Sequence, residues 1–494
     1  MPRPVREVVV VGRDVDAWLA ALGLVRAVGR LGVTIRVLEL PTKLGPHHVT
    51  PALPALAGLH DLLGLRPSAL YRECRAVPSL GTRFVGWSGP EPFLLAYDVA
   101  RPAIDDIDFL QFWVDARARG LRVPLEEFSV AAVAAKQGRM DDAPVQPDRL
   151  GGFTPGMHMD ATRYAGLLRR GAVAAGVAAI PAEVVEVERE GEAIRAMVTD
   201  AGERVAGDLF IDASGADGAL ISGQPGAAWE DWSAWLSADR LFTGSLPPLR
   251  PLPGFAQATA CPDGWVGLFP LQDRTALVAC VAARGRDDAE LARAIEAVAG
   301  RSVAGLTASP LRAGAQARPW IGNCVAVGGA AAGLEPLDAG APHLAQITLS
   351  NLVALWPADA DEPVEAAPYA AAVASHLGGV RDFTIAHYRL NARRGEALWD
   401  GTRAAAPPPG LAAKLSLFGA RGQVPMFDDE SFAEQLWSAS FVGHGLVPRS
   451  VDPRVDGVPL EERIGKAQAL LHAVADAVRA MPEVQPFIAA RTGA

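Results

Sequence analysis

Three observations predict an α/β protein whose sheet begins at the N-terminus. Residues 8–11 are an unbroken valine run ended by Gly12, the pattern of a strand buried on both faces of a parallel sheet. Leu19, Leu22, Val25 and Val28 then recur at helical spacing between Ala17 and about Gly29. A second strand follows over 33–38 and ends in Glu39. Strand, helix and strand in so short a stretch form a βαβ unit of the dinucleotide-binding type.

The later elements fit around that unit. A polar, proline-containing middle runs from about Ser88 to Thr154, and 161–176 reads as a helix. Residues 184–198 read as strands around a turn at Glu190 and Gly191. Phe210, Ile211 and Asp212 form a strand running into a turn at Ser214 and Gly215, and another strand pair surrounds Trp265 and Val278. A short apolar strand over 324–327 enters a Gly/Ala-rich turn and then a helix. From about Val380 the pattern is helical, with proline-marked loops at 407–409 and 448–453. The expected organisation is an α/β domain over 1–380 and a mainly helical region over 381–494.

Composition narrows the function classes. Half of the 494 residues are hydrophobic and the net charge is −10. That is enough for a large core, and it argues against nucleic acid or an anionic membrane as partner. No stretch reaches the roughly 18 apolar residues of a membrane helix, and the N-terminus lacks the features of a signal peptide. Cys74, Cys261, Cys280 and Cys324 stand far apart. They suggest neither a metal site nor a disulfide framework, so a reduced cytoplasmic setting is expected. His47 and His48 are adjacent on a loop and do not converge on a metal. Trp229, Trp232 and Trp235 read as core or pocket wall, and His158 and His387 as structural histidines.

A series of short motifs carries a resemblance over nearly the whole chain. They are Gly12-Arg13-Asp14-Val15-Asp16-Ala17-Trp18, Gly81 to Trp87, His158-Met159-Asp160-Ala161 and Phe210 to Gly215. They continue with Asp231-Trp232-Ser233, Gly328 to Leu337, Asp382-Phe383 with His387-Tyr388, and Gly443-His444-Gly445 with Pro448. In order and spacing the chain resembles the flavin-dependent tryptophan halogenases. The resemblance implies a Rossmann-type FAD-binding flavin monooxygenase/halogenase fold with a mainly helical C-terminal part. It implies FAD at Gly12, Arg13, Glu39, Gly215, Gly329 and Gly333. It also implies a substrate pocket at Trp87, Trp265, Phe269, Glu335 and Pro336, halide as co-substrate, and a separate reductase supplying reduced flavin.

The chain departs from the family at the positions that carry chemistry. Ser79 stands where the family has the lysine that captures or orients hypohalous acid. A hydroxyl cannot form a haloamine or carry positive charge. Asp338 takes the place of the family glutamate and is one methylene shorter; it is followed by Ala339 and Gly340 instead of Ser-Thr. The second tryptophan of W-x-W-x-I-P is lost in Trp265-Val266-Gly267-Leu268-Phe269-Pro270, and the tunnel segment reads His47-His48-Val49-Thr50-Pro51.

In the phosphate turn, Arg13 and Asp14 replace close-approach glycines, with Asp16 one turn in; Gly329 replaces the aspartate of G-D-A-A. Carboxylates there repel a diphosphate. One expectation is that Asp14 or Asp16 caps the helix in the cofactor's stead; another is that Arg13 is a substitute phosphate ligand. FAD binding is therefore expected to be weak or absent. Two readings follow: a non-halogenating relative that binds a small aromatic or peptide ligand or a partner, and an active flavin-dependent halogenase or oxygenase with altered chemistry. The sequence carries no signal for the oligomeric state.

Overall fold

A computed structural model of the chain describes residues 2–97, 103–141, 150, 154–338 and 340–493. Ala339, in the segment after the Glu335-Pro336 motif, lies outside the described residues, as does part of the polar middle segment. The chain folds as two compact units, each assembled from three segments.

The first unit comprises residues 1–76, 159–233 and 310–378. Its centre is the expected βαβ unit: β1 (Glu7–Gly12), α1 (Asp14–Val28) and β2 (Thr34–Glu39). β1 pairs in parallel with β2, setting Gly12 opposite Glu39, and on its other side with Leu209–Ala213. The sheet extends through Cys324–Ala326 to Trp320–Ile321 at one edge and Ala178–Pro181 at the other. The valine run is uninterrupted because β1 is central: Val8, Val9, Val10 and Val11 are all fully buried. Gly12 tolerates no side chain, since a Cβ there would sit 2.2 Å from the carbonyl oxygen of Ala213. α1 packs against the helices Ala161–Ala174 and Ala341–Ala354. The expected turn at Gly191, with φ +60, joins Val184–Glu190 to Ala193–Thr199 in a separate three-stranded sheet.

The second unit comprises residues 77–158, 234–309 and 379–494. Its framework is a larger, mostly antiparallel sheet in which Gly264–Pro270 lies between Ala256–Cys261 and Thr275–Val281, pairing Trp265 with Cys280. Gly81–Val85 joins in parallel with Ala256–Cys261. The polar middle contains more regular structure than its composition predicted. Phe109–Ala118 is a helix capped by Asp108, whose carboxylate accepts from Leu110 N at 2.7 Å. The C-terminal helices include Pro409–Arg421, Glu434–Gly443 and Leu460–Ala480. Among them Lys414, 1 % exposed, is paired with Glu430 and lies over the ring of Trp437.

Candidate functional site

In the first unit the turn from β1 into α1 sets the geometry. A dinucleotide fold brings a diphosphate to such a helix N-terminus because free backbone amides and the helix dipole meet there. Asp14 keeps the left-handed backbone, φ +58, that a glycine would supply. Its carboxylate turns to the loop after β2, accepting from Thr42 Oγ1 at 2.5 Å and from Lys43 N at 3.1 Å. Arg13 is half-buried and bonded through Nη1 to Asp217 at 2.5 Å, while Lys43 Nζ reaches the same carboxylate at 2.6 Å. Burial opposes ionisation of Asp217, but Lys43 and Arg13 hold its carboxyl below the usual range.

Asp16 points the other way. It is 8 % exposed, and its Oδ2 accepts from Gly329 N at 2.8 Å. Its Oδ1 has no hydrogen-bond partner among the described residues. Burial pushes this carboxyl up to about 7, against the Gly329 bond and with the help of the Asp14 charge. The expectation that Asp14 or Asp16 caps α1 needs correction. The N-cap residue is Arg13 and no side chain closes the cap; both carboxylates serve other segments and remain only as charge in the first turn. The loop after β2 and the glycine turn offer amides that the helix start does not monopolise, and sequence does not show which a carboxylate will choose.

Gly329 is held close on two sides. A Cβ there would lie 3.0 Å from Gly215 Cα and 3.1 Å from Asp16 Oδ2. Gly215 itself has φ +73, and a Cβ at Gly333 would meet the carbonyl oxygen of Arg312 at 2.2 Å. Glu39 ends β2 beside a cavity of about 580 Å³, whose wall also includes Asp14, Trp18, Thr42 and Arg169. Trp18 Nε1 donates to Glu39 at 3.3 Å, and Arg169 bonds the same carboxylate through Nε at 3.0 Å with its guanidinium over the Trp18 ring. Glu335 is fully buried, while Pro336 and Asp338 are half-buried. Sequence reasoning missed Arg169, Lys43 and Asp217, because each is far along the chain from the carboxylate or cation it meets.

In the second unit, Ser79 is 0 % exposed and its Oγ donates to the carbonyl oxygen of Gly81 at 3.2 Å. Trp87 is buried with Phe84, His387, Tyr388, Trp399 and His444 around it, and its Nε1 donates to Ala258 O at 3.0 Å. Trp265 and Phe269 are buried in one strand, and the His158 ring meets Phe269 edge-on at 5.4 Å. Burial lowers the His158 pKa to about 4, only partly opposed by the nearby Pro270 backbone, so it is neutral near pH 7. The four cysteines are free and buried. Among the described residues no helix is long and apolar enough to cross a membrane.

The βαβ core, the glycine turns at 215 and 328–333, and the tryptophan-bearing strands are those of a flavin-dependent halogenase fold. The chain belongs to the tryptophan halogenase family, whose model matches residues 7–460. Among solved structures it is similar to a flavin-dependent halogenase from Brevundimonas sp., with 30 % identity, a TM-score of 0.92 and coverage of 99 % of this chain and 100 % of the other. It is also similar to a flavin-dependent halogenase from Xanthomonas campestris, at 28 % identity, a TM-score of 0.93 and 99 % coverage of each chain. Tryptophan 7-halogenase RebH of Lentzea aerocolonigenes is 26 % identical over 99 % of this chain and 98 % of the relative.

Proposed function

We propose that this chain is a divergent family member that does not carry out flavin-dependent halogenation and uses the fold to bind a small aromatic or peptide ligand or a partner. The observation that carries the reading is the bond from Gly329 N to Asp16 at 2.8 Å. The turn that would hold a diphosphate presents a buried carboxylate with one oxygen unpaired among the described residues, and a second carboxylate at Asp14. Arg13, the one guanidinium in that turn, is engaged with Asp217. These residues do not fit the diphosphate of FAD, because Asp16 already occupies the Gly329 amide and the Asp14 carboxylate would be brought beside an anion. Ser79 adds to the argument, since its hydroxyl is buried and bonded to Gly81.

A second reading, an active flavin-dependent halogenase or oxygenase supplied by a reductase, is favoured by one observation. Glu39 still closes β2 beside the cavity of about 580 Å³, where a dinucleotide fold places a ribose. Titration with FAD, followed by flavin fluorescence, separates the two. The expected result is no saturable quenching; low-micromolar affinity overturns the first reading. A parallel reaction with flavin reductase, NADH, oxygen, bromide and tryptophan is expected to give no brominated product by mass spectrometry.

A further inference from the structure

In the second unit a hydroxyl and two imidazoles stand in one line. Ser88 Oγ lies 2.5 Å from His444 Nδ1, and His444 Nε2 lies 2.7 Å from His387 Nδ1. We infer that Ser88, His444 and His387 form a nucleophile, base and positioning array that hydrolyses esters with a short apolar acyl group.

The arrangement meets the nucleophile–base and base–orienter distances of such an array. Ser88 is half-buried and lines a cavity of about 330 Å³ with Phe93, Trp113, Leu125 and Val442. It sits on a bend between Gly86, φ +71, and Gly89, φ +143, backbone that holds its side chain out between two residues without Cβ atoms. The spacing is Gly-Trp-Ser-Gly, not the G-x-S-x-G of a strand-to-helix elbow. His444 is buried and faces Phe93 edge-on at 4.9 Å, and His387 stacks on Phe84 at 4.6 Å, so neither ring is free to swing. With His444 Nε2 protonated and donating to His387 Nδ1, His444 Nδ1 is left as the acceptor for the Ser88 proton.

Burial holds His444 well below its usual pKa, with the neighbouring His387 adding to the effect, so it is neutral and able to accept. Two helix C-termini offset part of that burial cost once the imidazolium forms. His444 is the C-cap of helix Glu434–Gly443, and His387 lies in the last turn of helix Ala366–Arg389. Both rings therefore meet the negative end of a helix dipole.

The chemistry balances without a redox partner. Ser88 Oγ bonds to the ester carbonyl carbon as its proton passes to His444 Nδ1, and the carbonyl electron pair moves onto oxygen. Collapse breaks the bond to the alkoxy group, which leaves with the proton from His444. Water then attacks the acyl-Ser88 by the same route and releases the carboxylic acid.

The test uses the full chain, p-nitrophenyl butyrate and a fluorophosphonate, with labelled peptides mapped by mass spectrometry. Ser88 is expected to be labelled, and Ser88→Ala to abolish both labelling and hydrolysis. His444→Gln is expected to slow both about 100-fold or more. His387→Phe should lose labelling, and His387→Asn, which keeps an acceptor toward His444, should restore it. An unlabelled Ser88 in folded protein, or hydrolysis that survives Ser88→Ala, overturns the inference. So does full labelling in His444→Gln.

Discussion

Asp16 and Gly329 are 313 positions apart and share one hydrogen bond, Gly329 N donating to the Asp16 carboxylate at 2.8 Å. The motifs this chain resembles carry a small residue at the first position and an aspartate at the second. Here the acid has changed sides. The two changes belong together, because the space a 329 side chain would enter is bounded by Asp16 Oδ2 and Gly215 Cα.

That exchange predicts a coupled pair. Gly329→Asp alone is expected to destabilise the protein, by clash with Gly215 and by like charge against Asp16. In Asp16→Ala/Gly329→Asp much of the charge term disappears. A double-mutant cycle from urea denaturation should give a favourable coupling of about 1–3 kcal/mol. Strictly additive effects would disprove the pairing.

Asp16 also gives the stability a pH dependence. Its carboxyl is raised from 3.8 to about 7, chiefly by burial, so the folded chain binds this proton more tightly than the unfolded chain does. The contribution is fully present below about pH 4 and is lost as pH rises to about 7, on the order of 4 kcal/mol at most. Asp16→Asn keeps an acceptor for Gly329 and removes the titration. Melting curves at pH 5 and pH 8 should show a smaller drop for the variant than for the wild type, with the variant more stable at pH 8.

Installing the family lysine should not restore the family chemistry. Ser79 is fully buried and its hydroxyl is bonded to Gly81 O. Ser79→Lys puts a long cation into that space and is expected to cost roughly 3 kcal/mol or more. Denaturation midpoints measure the cost. A stable variant that halogenates tryptophan would refute both this expectation and the proposed loss of flavin chemistry.

The buried pair Lys414–Glu430 should behave asymmetrically. Lys414→Met leaves the Glu430 carboxylate buried beside Trp437, whose Nε1 lies 3.3 Å away, without its cation, at an expected cost of about 3–5 kcal/mol. Lys414→Met/Glu430→Gln removes the stranded charge and should recover much of that loss. Equal instability of the single and double variants would show that packing, not charge, dominates there.

The sequence by itself determined the βαβ start, because a central parallel strand must be apolar on both faces and the Val8–Val11 run is. It also determined the family, through motifs whose order survives even where their chemistry does not. Gly191 marked its hairpin because a tight turn with φ +60 favours glycine. What the carboxylates of the phosphate turn do was decided only by tertiary structure. Asp14 and Asp16 sit two residues apart, yet one bonds the loop after β2 and the other a glycine more than 300 residues away. The same holds for Ser88, His387 and His444, which no local pattern joins. Propensity and periodicity act over a few residues, whereas a hydrogen bond depends only on where folding brings its donor and acceptor.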